Sequence, residues 1–261
     1  MTERAGPQIN FNTISEVEAF ARWYLGETTA RIRPEFEGND VEWRGFIERR
    51  NRRLQVQLDD LRNLNFKSAI PCSINKINYF KIVNENHKQP LSSLGSMRKS
   101  SRFNFRHTDA LQNKVIYFGQ DKFCCAVELF HLDIQKSNYV ALTGRTPEQM
   151  ESELPQPKYK LYEYEIQVDN ILVLTGTPAH KAIGIPTNVV TDEWYPINDG
   201  YEIPTAGQIL ATAAKKHGFK GILYTSVRTQ TKNNLVLFEE NTGALTFREL
   251  SSQPFDPKFN L

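Results

Sequence analysis

Only three cysteines occur in 261 residues, and two of them, Cys124 and Cys125, are adjacent in the chain. Three are too few for a disulfide framework and adjacency is the wrong spacing for a CxxC metal knuckle, so a reducing compartment is expected. Long apolar runs are missing as well. No stretch approaches the ~20 residues needed to cross a bilayer, and the opening MTERAGPQINFN lacks the apolar core of a secretion signal, which points to a cytoplasmic protein without membrane contact. Neither sign of charge dominates: 32 basic against 30 acidic residues leave a formal net charge of +2, so no global field recruits nucleic acid. The glycine-rich phosphate loops GxGxxG and GxxxxGK[ST] are absent. The five histidines show no HxxxH spacing, so no metal is expected, and no GxSxG elbow marks a serine nucleophile.

What is present reads as an α+β chain with a helical segment over residues 1–70 and a mixed domain over 71–261. A capping-box pattern at Ser15 and Glu18 opens a helix over about 15–25, and Trp43, Ile47, Leu54, Leu58 and Leu61 form one face of a longer helix over 41–63. The ERRNRR run on its other face is read as a solvated side, so nucleic acid is not expected as a partner. The two apolar stripes can pack on the following domain, form a homodimer or hold an inhibitor, and the first is the plainest reading. Strands are expected over 79–83, 115–118, 161–168, 171–174, 221–225, 234–238 and 244–248, with a helix over 204–217 closed by Gly218 and a long loop over 176–200.

One segment poses a chemical question. In KVIYFGQDKFCCAVELF, residues 114–130, a strand runs through Gly119 into a helix with Asp121 as its N-cap, and Glu128 is the one carboxylate among Phe123, Cys124, Cys125, Ala126, Val127, Leu129 and Phe130. Helical spacing puts Phe123, Ala126, Val127 and Phe130 on a shared face and leaves little of the helix free to meet water. A buried carboxylate is costly unless it is paired or hydrogen-bonded, so Glu128 has an ion-pair partner, a helix side that is wetter than it looks, or a job. Two other stretches stand out. GSMRKSSRFNFRH, residues 95–107, alternates cations with small and aromatic residues, as a loop cradling an anion does, and Ser226 and Arg228 fall at a strand end, where polar groups are presented.

SSRFN (100–104), VIYFGQDKFCCAVELF (115–130) and GILYTSVRTQTKNNLVLF (221–238), in that order and spacing, resemble the RES family over roughly residues 79–240. The resemblance implies an ADP-ribosyltransferase-like fold, a bacterial toxin of a toxin–antitoxin pair, consumption of NAD+ as substrate with no other cofactor, and a proteinaceous antitoxin as partner. It places Arg102, Tyr117, Glu128 and Ser226 at the family's arginine, tyrosine, glutamate and serine. Lys81 stands where the family has an early arginine, and Ser100 and Ser101 where it has paired glycines. The implied chemistry is cleavage of the nicotinamide–ribose bond by a glycohydrolase or phosphorylase. In it Glu128 stabilises the ribose cation, Lys81 and Arg102 hold the diphosphate, Tyr117 stacks on a ring and Ser226 orients the nicotinamide side or the diphosphate. Two other outcomes fit the same motifs: transfer of ADP-ribose to a macromolecule, and a catalytically inactive RES-like binding module.

Overall fold

The computed structural model describes residues 16–25, 27, 29–36, 38–60, 69, 71–98, 100–129, 158–191, 197–198, 201–229, 231–243 and 247–256. Helices α1 (Glu16–Tyr24), α2 (Thr29–Ile32) and α3 (Asp40–Asp60) come first. On α3, Trp43, Phe46, Ile47 and Leu54 are buried while Arg44, Arg49, Arg52 and Arg53 are exposed, as the periodicity predicts. Arg50 breaks the pattern by being buried as well. These helices share one hydrophobic cluster with the mixed sheet and its covering helix, so their stripes do pack on the following domain.

Among the described residues six strands follow, β1 (Cys72–Asn84), β2 (Val115–Gly119), β3 (Tyr159–Leu174), β4 (Gly221–Thr225), β5 (Asn233–Phe238) and β6 (Phe247–Phe255), with the short helix α4 (Leu94–Arg98) between β1 and β2. Their order is β1-β2-β5-β4-β3-β6, and a further β1–β3 pairing closes the first five into a ring. The ring is well knit along β1–β3, from Asn84↔Tyr159 to Cys72↔Ile171, and barely joined at the β1–β2 seam, where only Phe80↔Gly119 pairs. Among the described residues only the β3–β4 pair is parallel.

Alternation along each strand sorts the core. Ile116, Phe118, Tyr162, Tyr164, Ile166, Leu235 and Leu237 fill the inside of the ring. Val115, Leu172, Ile222, Tyr224, Val236 and Phe238 face outward under helix α7 (Ala206–Lys216) and the N-terminal helices. At ~1.5–3 kcal/mol for each fully buried large side chain, these two faces supply most of the stabilisation. The start of α7 is fixed by the Thr205 N–H donating to Gln208 Oε1 at 2.8 Å, and its end by Gly218 at φ +84.

The structure corrects several expectations. The strands read as 161–168 and 171–174 are one, because Asn170 takes up the bend at φ 56, a left-handed conformation that asparagine tolerates. The segment read as a loop over 176–200 contains α6 (Thr177–Ala182), where Pro178 sits in the first turn and needs no N–H partner, and a 3-10 turn at Thr187–Val189. Strand β6 (Phe247–Phe255) runs on past the expected end at 248, and its expected first residues, 244–246, lie outside the described residues. The expected helix end at 61–63 lies outside the described residues.

Candidate active site

The Glu128 helix, α5 over residues 122–129, begins as the sequence suggests: Asp121 Oδ1 accepts the Cys124 N–H at 2.7 Å. Its buried face is not the expected one. Phe123 is 51% exposed and Leu129 40%, whereas Cys124 and Ala126 are fully buried; Phe130 lies outside the described residues. Cys124 and Glu128 are four apart and share a face, so turning that face inward turns Phe123 out. The carboxylate lies over the ends of β4 and β5. Glu128 Oε1 accepts the Ser226 hydroxyl at 2.7 Å and the Asn234 side-chain amide at 2.8 Å. Both donors are neutral. Among the described residues no Lys or Arg nitrogen forms a salt bridge with Glu128, so the ion-pair reading of this acid fails; Glu128 is half-buried, on a helix wetter than its sequence suggests, and among the described residues its Oε2 accepts no hydrogen bond.

The two donors are themselves held. Ser226 is 1% exposed, its N–H donates to the Lys232 carbonyl at 2.8 Å, and its Oγ accepts the N–H groups of Arg228 and Thr229, each at 3.2 Å. With its own hydrogen on Glu128 and two N–H groups on its oxygen, the hydroxyl has no capacity left. Asn234 is 4% exposed, and its Oδ1 accepts the Cys124 S–H at 3.2 Å, which orients the amide so that Nδ2 points at Glu128. Asn234 was not singled out in the sequence; its place directly across from Tyr224 at the start of β5 is what brings it in.

Beside this carboxylate lies the SSRFN turn. Ser101 and Asn104 pair as a tight bridge, and Gln208 Nε2 donates to both of their carbonyls, at 2.7 and 3.1 Å. The two serines that replace glycines are occupied locally: Ser101 Oγ bonds the Tyr117 phenol at 2.9 Å, and Ser100 Oγ accepts the Arg106 N–H at 3.2 Å. Tyr117 also accepts the Phe103 N–H at 3.1 Å, so its phenol anchors the turn. Burial pushes that phenol up to about 12, with the Glu128 charge adding to the rise and Ser101, Phe103 and Arg102 opposing it. Tyr224 is raised as well, first by burial and then by Glu128 and Tyr117, with Arg102 again opposing. Arg102, Tyr117, Tyr224 and Glu128 therefore share one electrostatic neighbourhood. Arg102 Nη1 donates to the Val190 carbonyl at 2.7 Å.

Lys81 is set apart. Its register partner on β3 is Tyr162, a residue of the ring interior, whereas Tyr117 pairs with Val236 on the outer, helix-covered face. The Lys81 ammonium lies at the β1–β2 seam, 3.2 Å from the Tyr117 carbonyl and 5.7 Å from the centre of the Phe118 ring. Desolvation there lowers its pKa to about 8. The cysteines are poor nucleophile candidates. Burial pushes Cys125 up to about 12 and raises Cys124, and both thiols are engaged, Cys125 with the Phe80 carbonyl at 2.8 Å. Arg228 is exposed, and among the described residues no His, Cys, Asp and Glu cluster could hold a metal. No helix among them is long and apolar enough to cross a membrane.

The sequence profile described as the RES domain matches residues 79–257, a span that contains Arg102, Tyr117, Glu128, Ser226 and Asn234 and leaves α1–α3 outside. No curated protein matches the chain. Among solved structures, a chain of the crystal structure of the M. tuberculosis MbcT–MbcA toxin–antitoxin complex is similar at 19% identity and TM-score 0.49, over 78% of this chain and 93% of that one.

Proposed function

The chain belongs to the RES domain family, and from that premise we propose that it cleaves the nicotinamide–ribose bond of NAD+ and acts in the cytoplasm as the toxin of a toxin–antitoxin pair, with a protein antitoxin as partner. The observation that carries this reading is the state of Glu128. Its carboxylate is clamped through one oxygen by two neutral donors, forms no salt bridge with a Lys or Arg among the described residues, and leaves its second oxygen for a ligand. Such a group suits a reaction in which positive charge develops on a sugar.

In the proposed step the C–N bond between ribose and nicotinamide breaks and its electron pair leaves with the ring, which becomes neutral nicotinamide. The cationic ribose carbon lies against Glu128, whose Oε2 accepts a hydrogen bond from a ribose hydroxyl. Water or phosphate then adds its oxygen to that carbon, and with water one proton is released. Arg102, at the turn beside Glu128, is the group to meet the diphosphate, and it is better placed than Lys81, which sits at the seam on the other face. Ser226, with its bonding capacity spent on Glu128 and two N–H groups, positions the acid and is not a nucleophile.

The test is incubation of the purified protein with NAD+ in water and in phosphate buffer, followed by mass spectrometry of small molecules and of intact protein. Free nicotinamide with ADP-ribose identifies a glycohydrolase, and a phosphorylated ADP-ribose identifies a phosphorylase. A gain of one ADP-ribosyl mass on protein moves the assignment to transfer. Intact NAD+ under all conditions, together with normal growth of bacteria expressing the protein, refutes the proposal and leaves a binding module.

A further inference from the structure

We propose that the N-terminal helices, which lie outside the RES match, are a working part of the site: through Asn188 and Asn51 they position the turn that carries Arg102 and the carbonyl that receives its guanidinium. The inference rests on the reading of Arg102 as a substrate-holding residue.

Two separate routes lead from these helices to Arg102. The first begins at the end of α1, where helix carbonyls lack intrahelical partners. Asn188, 1% exposed, supplies them: its side-chain amide donates to the Trp23 carbonyl at 2.7 Å and to the Glu27 carbonyl at 2.9 Å. Two residues further on, the Val190 carbonyl accepts Arg102 Nη1 at 2.7 Å. Between them Val189 and Val190 are buried in the same cluster as Trp23, so the segment is held by its side chains as well as by Asn188. The level of the Arg102 acceptor is thus set against α1.

The second route runs through α3. Asn51 donates to the Pro204 carbonyl, and the Arg50 guanidinium bonds Asn51 Oδ1 at 3.3 and 2.9 Å while lying 5.0 Å over the Trp23 ring. Pro204 leads directly into the Thr205 cap of α7, whose Gln208 clamps the carbonyls of Ser101 and Asn104 on either side of Arg102. Gly207 lets the two routes converge: a Cβ there would stand 2.9 Å from the Arg102 carbonyl and 3.1 Å from that of Val189. An interface that only buried apolar area would need none of this. Arg50, Asn51 and Asn188 are all at least nine-tenths buried, and directional bonds between buried polar groups fix orientation in a way that contacts between methyl groups do not.

Asn188→Ala and Asn51→Asp, made in the full chain, test the proposal. Asn51→Asp keeps an oxygen for Arg50, with a charge that pairs with its guanidinium, and sets a carboxylate oxygen against the Pro204 carbonyl in place of the donor, so it breaks the link to Pro204 without emptying the site. Backbone amide exchange across residues 100–105 should accelerate about tenfold or more in either variant while β4 and β5 keep their protection. The KM for NAD+ should rise about tenfold with kcat within about threefold of wild type, and Asn188→Ala should add little to a variant already carrying Arg102→Ala. Lower melting temperatures with unchanged KM and unchanged exchange at 100–105 would overturn the inference, as would additive effects in the double variant. An inactive wild type would count against the NAD+ reading alone, and the exchange measurement would still decide this one.

Discussion

Replacing Glu128 by Gln separates charge from shape at the centre of the site. The amide retains an oxygen that can accept from Ser226 Oγ and Asn234 Nδ2, now at 2.7 and 2.8 Å from Oε1. Each bond changes from charge-assisted, ~1.5–3 kcal/mol, to neutral, ~0.5–1.5 kcal/mol, so the two together lose about 2 kcal/mol of stability. For a domain of this size that is a fall in Tm of about 4–8 °C. Had the partner been an arginine, the substitution would strand a cation and cost roughly 3–5 kcal/mol, but the observed partners carry no charge to strand. Turnover is another matter. If the carboxylate faces a developing ribose cation, kcat should fall about 10²–10³-fold while NAD+ binding persists, as when one preorganised electrostatic group is removed. The assay pairs a denaturation curve with nicotinamide release on the same preparation, normalised to folded protein. A variant with turnover within about threefold of wild type refutes the electrostatic role, whatever happens to its Tm.

Four further outcomes follow from the same geometry. Ser226→Ala removes a hydroxyl that serves three partners and should cost about 1–3 kcal/mol and lower kcat; a covalent adduct trapped on Ser226 in the wild-type protein would contradict its positioning role. Asn234→Asp replaces the amide that donates to Glu128 by a second carboxylate and should lower kcat about tenfold or more, so turnover within about twofold of wild type would count against the Asn234 contact. Lys81 has a folded pKa of about 8 against an ordinary 10.5, so the cost of burying its charge is full below about 8 and falls as pH rises towards 10.5, where only the unfolded chain holds the proton. Lys81→Met should therefore be more stable than wild type at pH 7, with the difference shrinking in denaturant titrations from pH 8 to 10, and its KM for NAD+ should stay within about twofold. Gly207→Ala should raise that KM and lower Tm, although alanine is the better helix former by ~1 kcal/mol, because its methyl meets two backbone oxygens; a stabilised variant with normal KM would show that the turn can shift freely.

Most of the fold was legible because its periods are strong. Tyr162, Tyr164, Ile166 and Val168 alternate cleanly and do fill the ring interior, and the α3 stripe of Trp43, Ile47 and Leu54 is buried as spaced. What failed were inferences from local breaks. Asp169 and Asn170 look like a turn between strands, yet a single residue with positive φ bends β3 without ending it, because β1 pairs along nearly the whole strand. Ring closure itself was invisible, since β1 and β3 lie about 80 positions apart and nothing in either sequence names the other as its neighbour.

The site was legible to a different depth. Glu128 could be found because an acid among apolar residues violates a rule that folded proteins rarely break, and Ser226 because it follows directly on a strand. Their neutral partner could not be found that way. Asn234 is unremarkable in NNLVLF, and its role depends on β5 being antiparallel to β4 in the register Tyr224↔Asn234, a fact of the sheet and not of the segment. Lys81 shows the converse hazard. A cation at a motif position suggests phosphate, but strand alternation is unforgiving, and one step of register decides between the ring interior with Tyr162 and the outer face that carries Tyr117. Asn188 and Asn51 were further from view, because each acts through backbone carbonyls, which carry no sequence signature at all. Residues that carry charge into a site can be read from a sequence, whereas residues that hold those charges in place through the main chain become visible only once the chain is folded.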